Sequence, residues 1–410
     1  MTFIQYARRV INILLVVFAF LLPLSKPASN AVLVLIVLAW IIEGRWQDKV
    51  RILRQNKVFI TFGALIGWMG LSLLWSDTLS GGFFKGHDTN ALVYYLRLNL
   101  FDFLLLPVML TSLETRYIRY ILSVFLSAML LSEIVSWGIF FELIHYKDVP
   151  SYDPSPFMHH SLYSVFLAVT IFLLASLMGQ TDTWRWRLFY GVFMLSATAN
   201  LFLNGGRLGQ IAFVVGVAVY ALSVWRSTLK AAAIMAVVGG GVVTAAYFTS
   251  PVFQTRADTT LKALRHISEG KYNTTSWGIR VNILRVGAQT VRQHPIVGSG
   301  IGAAKSAFLE QAQRFDQTGM FPDLEHLHNQ YLQLLVQTGL VGLGLLGWLF
   351  AALWRTPLPS HKRAFYVTFL ALYAVGFIGE PLLDNRQPYL LFILFAVLWI
   401  RESQASKEAM

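Results

Sequence analysis

The run SLYSVFLAVTIFLLASLMG, residues 161–179, carries no charged side chain over nineteen positions. At 1.5 Å of rise per residue, about 20 such residues in a helix cross the roughly 30 Å hydrocarbon core of a bilayer, where only a helix or a closed barrel satisfies its own backbone. Comparable stretches lie at 8–25, 29–43, 58–75, 92–111, 117–142, 159–179, 186–203, 208–225, 231–249, 330–354, 364–380 and 384–400, which makes twelve candidate spans. The fourth is interrupted by Arg97, Asn99 and Asp102, and the twelfth is short. Across the 410 residues, 56% are hydrophobic and 13% charged, about half the charged share of soluble proteins. The expected fold class is an all-α integral membrane protein with about 12 transmembrane helices.

The net charge of +12 does not point to a nucleic-acid partner, because the positive residues sit between apolar segments and no basic run stands beside a soluble core. Those residues alternate as an even-numbered topology with both termini inside requires. Of 33 Lys and Arg, eighteen fall in expected inside segments and six (Lys26, Lys85, Arg97, Lys147, Arg207, Arg386) in short outside ones. The other nine lie in one long outside segment, which translocates regardless of charge. The absence of cysteine excludes disulfides, thiolate catalysis and Cys-ligated metal. Arg8 and Arg9 precede the first apolar run with no small-residue cleavage site before Pro27, which reads as an uncleaved first helix.

The long segment, about Ser250 to His328, is too polar to span. Val252–Ile267 and Gly278–Gln293 place apolar residues at helical spacing, Ala303–Phe315 reads as a third helix, and Pro295 with the glycines at 298, 300 and 302 punctuates the segment. The expected organisation is 1–249 as transmembrane helices 1–9, 250–328 as a helical loop outside, and 329–410 as transmembrane helices 10–12 with an inside tail.

Where the loop re-enters the membrane stands His326-Leu327-His328-Asn329, and after Gln330 to Thr338 come Gly339 and Gly342. This His-Asn-x9-Gly-x-x-Gly pattern resembles that of the bacterial O-antigen ligase superfamily. Asn204-Gly205-Gly206-Arg207-Leu208-Gly209 resembles that family's short outside Arg element. Arg280, followed by Gln289, His294-Pro295 and Gly298-Ser299-Gly300-Ile301-Gly302, is similar to its Arg-bearing loop helix and Pro-x-x-Gly-x-Gly turn. Two positions depart: Gly206 stands where many relatives carry Ser, and Leu343 follows the last motif glycine where ligases often show Gly, Thr or Tyr.

His328 has its own chemical logic, since imidazole accepts a proton near neutral pH and this one sits at the mouth of a span. The bland alternative is an interfacial residue at a helix start. Arg207 lies in a short connection between apolar spans, where an ionised side chain needs a cavity, a partner or a route to the interface. Arg280 reads either as a diphosphate ligand or as a solvated surface arginine. Planar guanidinium groups bind phosphate oxygens bidentately and stay charged. His326, Asn329 and Arg265 are further possible site residues; Arg285, Lys85 and His87 are weaker. His326, His328 and Asp323 present no further metal ligand at useful spacing, so no metal and no other cofactor is expected. The Gly298–Gly302 turn offers backbone N–H groups to phosphate or simply permits a tight turn. The glycines at 339, 342, 344, 347 and 239–241 read as helix-packing positions. His159 and His160 read as interfacial, with lining of the cavity as the second reading. Glu380 and Asp384 read as partners of Arg386 or of a functional arginine.

The resemblance implies an inverting, metal-independent glycosyltransferase of the GT-C kind in a Gram-negative inner membrane, with its site facing the periplasm. Its partners would be undecaprenyl-diphosphate-linked O-antigen, a lipid A-core acceptor and membrane lipids. It assigns His328 as the base, with Arg207 and Arg280 on the diphosphate. An O-antigen or exopolysaccharide polymerase or a protein O-oligosaccharyltransferase would share these parts, and a lipid-linked glycan flippase would use the arginines without needing the base.

Overall fold

A computed structural model describes residues 3–80, 82–83, 90–225, 229, 233, 235–268, 276–314, 321 and 324–408. Lys85, His87 and Asp323 lie outside these residues. The regular structure of the described residues is helical, with α1 (Phe3–Leu21), α2 (Lys26–Glu43), α3 (Trp46–Gln55), α4 (Lys57–Leu71), α5 (Ala91–Ser112), α6 (Ile118–Phe140), α7 (His160–Gln180), α8 (Trp184–Leu203) and α9 (Arg207–Trp225). They continue with α10 (Gly241–Thr249), α11 (Pro251–Ser268), α12 (Ser276–Gln293), α13 (Ala304–Arg314), α14 (Gln330–Trp354), α15 (Ser360–Gly379) and α16 (Arg386–Glu408). Among the described residues, ten helices are long and apolar enough to cross a membrane. Helix α8, expected as the seventh span, is 20 residues long but opens on Trp184-Arg185-Trp186-Arg187, which lowers its apolarity. The ninth expected span, 231–249, falls partly outside the described residues. The chain is thus an all-α integral membrane protein, and α11 to α13 occupy the polar segment.

Helices α7 and α16 are the most buried of the spans. Leu390 to Leu398 of α16 are wholly enclosed, and α7 packs against α8, α9 and α15. Elsewhere large apolar side chains point outward, Leu38, Ile134 and Leu195 among them, as lipid-facing helices require. Of the polar residues that interrupt α5, Asp102 is paired internally. Tyr95–Leu100 winds as a π-helix, and Asp102, wholly buried, meets Arg386 at 2.6 Å. Arg386 therefore belongs to Asp102, not to Glu380 or Asp384. Removing either member would leave an unpaired charge in the core.

Helix α14 breaks at Gly339, whose φ of 65° and ψ of −163° interrupt the helical backbone. The exposed peptide groups are taken up by the turn that follows α12. Ser299 N–H donates to the Val336 carbonyl (2.8 Å) and Gly300 N–H to that of Gln337 (2.9 Å), while Leu340 N–H donates to Pro295 (2.9 Å) and Val341 N–H to Ile296 (3.2 Å). The indole of Trp68 in α4 donates to the carbonyl of Thr338. Ile301 N–H and Gly302 N–H donate to Ser72 Oγ and Ser76 Oγ beyond the end of α4. The N–H groups of this turn are therefore committed to the fold, and the phosphate-binding reading of Gly298–Gly302 is corrected. Gly339 is likewise more than a packing position, whereas Gly344, Gly347 and Gly239–Gly241 face open space.

A Cβ on Gly339 would lie 2.2 Å from the carbonyl oxygen of Ile296, in a backbone region that L residues avoid. Gly339→Ala should destabilise the protein by about 3 kcal/mol. Gly344→Ala, with nothing within 4 Å of the new methyl, should leave the thermal midpoint of the detergent-solubilised protein unchanged. Equal melting of the two variants would contradict this account of the break.

Candidate functional site

Arg207 is the first residue of α9, and the connection before it is held on several sides. Gly205 N–H donates to Asp153 Oδ1 (2.9 Å), Gly206 N–H to Asn204 Oδ1 (2.8 Å), and Gln210 Nε2 to the carbonyls of Leu201 and Asn204. A Cβ on Gly206 would stand 2.4 Å from that of Ser164 in α7, so the close approach of α9 to α7 explains glycine at this position. Asp153 also holds His160, with Nδ1 to Oδ2 at 2.8 Å. His160 faces the same cavity as Arg207, in keeping with the second of its two readings.

On the opposite wall, Asn329 caps α14 by accepting from Leu332 N–H at 2.9 Å. This gives the His-Asn pair a local cause: Asn329 takes the extended cap conformation, and His328 immediately before it adopts a left-handed backbone with φ 48°. A non-glycine residue held there is strained and aimed. Its Nδ1 is buried and lies 3.5 Å from Glu380 Oε1, while His326 Nε2 lies 3.7 Å from Glu380 Oε2. The orientation leaves His328 Nε2 for the cavity.

Glu380 ends α15, and the segment after it is tied to the first turn of α14. Gln330 Oε1 accepts from Leu383 N–H (2.8 Å), Gln333 Oε1 accepts from Leu327 N–H (2.9 Å), and Gln333 Nε2 donates to Asp384. Two glutamines one turn apart thus register the histidine segment against the carboxylate. Burial pushes the Glu380 carboxyl up, but the His328 hydrogen bond and the nearby His326, His328 and Arg280 charges outweigh it and hold the group below its usual range. Asp384 is pushed up to about 7 by desolvation, against the hydrogen bond from Gln333.

These elements enclose a cavity of about 350 Å³. Arg207, Arg280, His328, Asn329, Glu380 and His160 all line it, and the Arg280 guanidinium also lies over the ring of Trp277 at 5.8 Å. His326 turns to a second cavity of about 490 Å³ on the other side of Glu380. Arg265 is exposed on α11 and Arg285 on α12, and neither lines either cavity. A larger recess of about 600 Å³ lies away from these groups, between α6, α7, α15 and α16. Glu380 supplies the third metal ligand that the local spacing lacks. Donor atoms of His326, His328 and Glu380 all lie within 4.8 Å of one another and could hold an ion. The same geometry is that of an imidazole oriented by a carboxylate.

Residues 191–347 match the family model described as O-antigen ligase. Over that segment the chain is similar to the O-antigen ligase family. No curated protein matches the chain. The superfamily groups glycosyltransferase-like ligases and polymerases that act on lipid-linked polysaccharides in a membrane setting. The matched segment includes Arg207, Arg280, His326, His328, Asn329 and Gly339; His160 and Glu380 come to the cavity from outside it. For both, local sequence favoured a structural role over a place in the site. The available signals were a carboxylate beside a proline at a span end and a His-His pair at a span start.

The Asp384 carboxyl generates a pH prediction. Its folded pKa of about 7 exceeds the ordinary 3.8, so the folded state holds a proton that the unfolded chain has lost, and stability falls as pH rises between those values. Above about 7 both states are ionised and the deficit is constant. Thermal melting across this window should show the wild type losing stability relative to Asp384→Asn; a pH-independent difference would contradict the shift.

Proposed function

We propose that this protein is an O-antigen ligase that transfers an undecaprenyl-diphosphate-linked polysaccharide to a lipid A-core acceptor at the periplasmic face of a Gram-negative inner membrane. The observation that carries the reading is the sharing of one cavity by two arginines and a carboxylate-backed histidine. Arg207 and Arg280 hold the diphosphate, each contact being charge-assisted and, in a partly dehydrated recess, stronger than its equivalent in water. The N-terminal end of α9 adds its dipole in the same place. His328 Nε2 takes the proton of the acceptor hydroxyl as that oxygen bonds to the anomeric carbon. The bond from that carbon to the diphosphate oxygen breaks with its electron pair, and the arginines stabilise the departing charge. A single displacement inverts the anomeric configuration. Glu380 fixes the imidazole's orientation and stabilises the imidazolium that forms.

The reading is tested by transfer of lipid-linked O-antigen to rough lipopolysaccharide by purified protein. His328→Ala should reduce turnover by at least about 100-fold while donor binding persists, and Glu380→Gln should lower kcat with little change in donor KM. Arg207→Lys should recover only part of what Arg207→Ala loses, because a point charge does not reproduce a bidentate fork. Activity should survive EDTA; its loss, restored by added divalent metal, would replace the acid–base role of His328 with ligation by His326, His328 and Glu380. Donor lengthening without acceptor would identify a polymerase, and donor binding without reaction in the wild type would favour transport.

A further inference from the structure

The 490 Å³ cavity beyond Glu380 is separate from the one that holds the arginines, yet its His326 neighbours the His328 of the first. His326 forms part of its wall, and the rings of His326 and His328 have centroids 4.2 Å apart. The partition between the two cavities is therefore about one side chain thick. Its volume lies within the range of small-molecule sites and suits a sugar unit with its substituents.

The lining is mixed in a particular way. Lys26, from the first turn of α2, and Arg97, from the π-helical stretch of α5, supply positive charge, while Glu325 and Asp384 supply acceptors. Arg386 also lines it, in an ion pair with Asp102 at 2.6 Å. Cations bind phosphate, and carboxylates accept from sugar hydroxyls. The set fits a phosphorylated sugar better than either a bare phosphate or a neutral glycan.

The surroundings indicate how such a group arrives. Leu92, Val93 and Leu96, on the same short stretch of α5 as Arg97, are exposed apolar residues of a span, and Arg97 is exposed among them. A guanidinium exposed among the apolar side chains of a span is costly without anions nearby; Asp102 is one, and an anion at the membrane surface would supply another. The π-helix changes the register of α5 at this point, and such irregular turns are frequent at functional sites.

From this juxtaposition we propose that the second cavity binds the phosphorylated sugar head group of a membrane-anchored glycolipid, the acceptor, with Lys26 and Arg97 contacting its phosphate. The inference deepens the ligase reading and rests on it for the role of that glycolipid. The donor diphosphate then occupies one side of the His326–Glu380–His328 partition and the acceptor head the other, and the acceptor's hydroxyl reaches His328 past His326.

The test is binding without turnover. Purified full-length protein in detergent is titrated with radiolabelled rough lipopolysaccharide, native or enzymatically stripped of phosphate, and separately with undecaprenyl diphosphate. Wild type should bind the phosphorylated glycolipid about tenfold more tightly than the stripped form, and Lys26→Gln combined with Arg97→Gln should erase that preference. Arg97→Lys should keep most of it, and affinity for undecaprenyl diphosphate should be unchanged in all variants. Unaltered binding of phosphorylated glycolipid by the double variant overturns the proposal. So does an equal loss of undecaprenyl diphosphate binding, or displacement of the glycolipid by a soluble sugar phosphate at matching concentration. A phosphate-selective site in a wild type that transfers no glycan would instead support the site and overturn the ligase reading.

Discussion

A membrane-spanning helix cannot leave peptide groups unpaired, and α14 is broken at Gly339. Each orphaned group would cost about 1–3 kcal/mol in an apolar setting. The chain meets that constraint by folding the Pro295–Gly300 turn against the break, where it accepts from Leu340 and Val341 and donates to Val336 and Gln337. One consequence is structural: the segment between α10 and α14 is anchored to the broken helix α14. Another concerns the site, because the anchored turn directly follows α12, which carries Arg280, while the broken helix begins at Asn329, which aims His328. The relative position of a proposed diphosphate ligand and a proposed base thus rests on hydrogen bonds that the helix break itself demands.

The second organising element is the carboxylate of Glu380. It lies within 3.7 Å of both His326 and His328 and stands between two cavities of different chemistry. Gln330 and Gln333 tie the histidine segment to the segment after Glu380, so the carboxylate and the histidines are held in register. Strain at His328 fits this arrangement: a left-handed backbone at a non-glycine residue persists when a cap, a carboxylate and neighbouring hydrogen bonds over-determine it.

Charge is distributed with the same economy. Asp102 and Arg386 neutralise each other inside the bundle, and Asp153 secures His160 while also holding the backbone of Gly205. The groups that face the first cavity from both walls are Arg207, Arg280, His160 and His328, with Glu380 as the carboxylate among them. That excess of positive charge is what an anionic, lipid-linked substrate would meet.

The apolar runs, the basic alternation and the three loop helices could be read directly, because hydropathy and helical periodicity are local properties that a bilayer enforces on each segment in turn. The histidine-asparagine pair and the two arginines were legible for a similar reason, each being a polar residue at a span end. Tertiary structure alone decided that Arg207, Arg280 and His328 share a cavity, that Glu380 backs the histidine from 52 positions further on, and that Arg386 pairs with Asp102 across 284 positions. It also turned the glycine-rich turn from a candidate phosphate cradle into the partner of a helix break, since the destination of a backbone N–H depends on which distant carbonyl lacks a donor. Segment identity follows from local composition; pairing between segments follows from packing and from the requirement that every buried polar group find a partner.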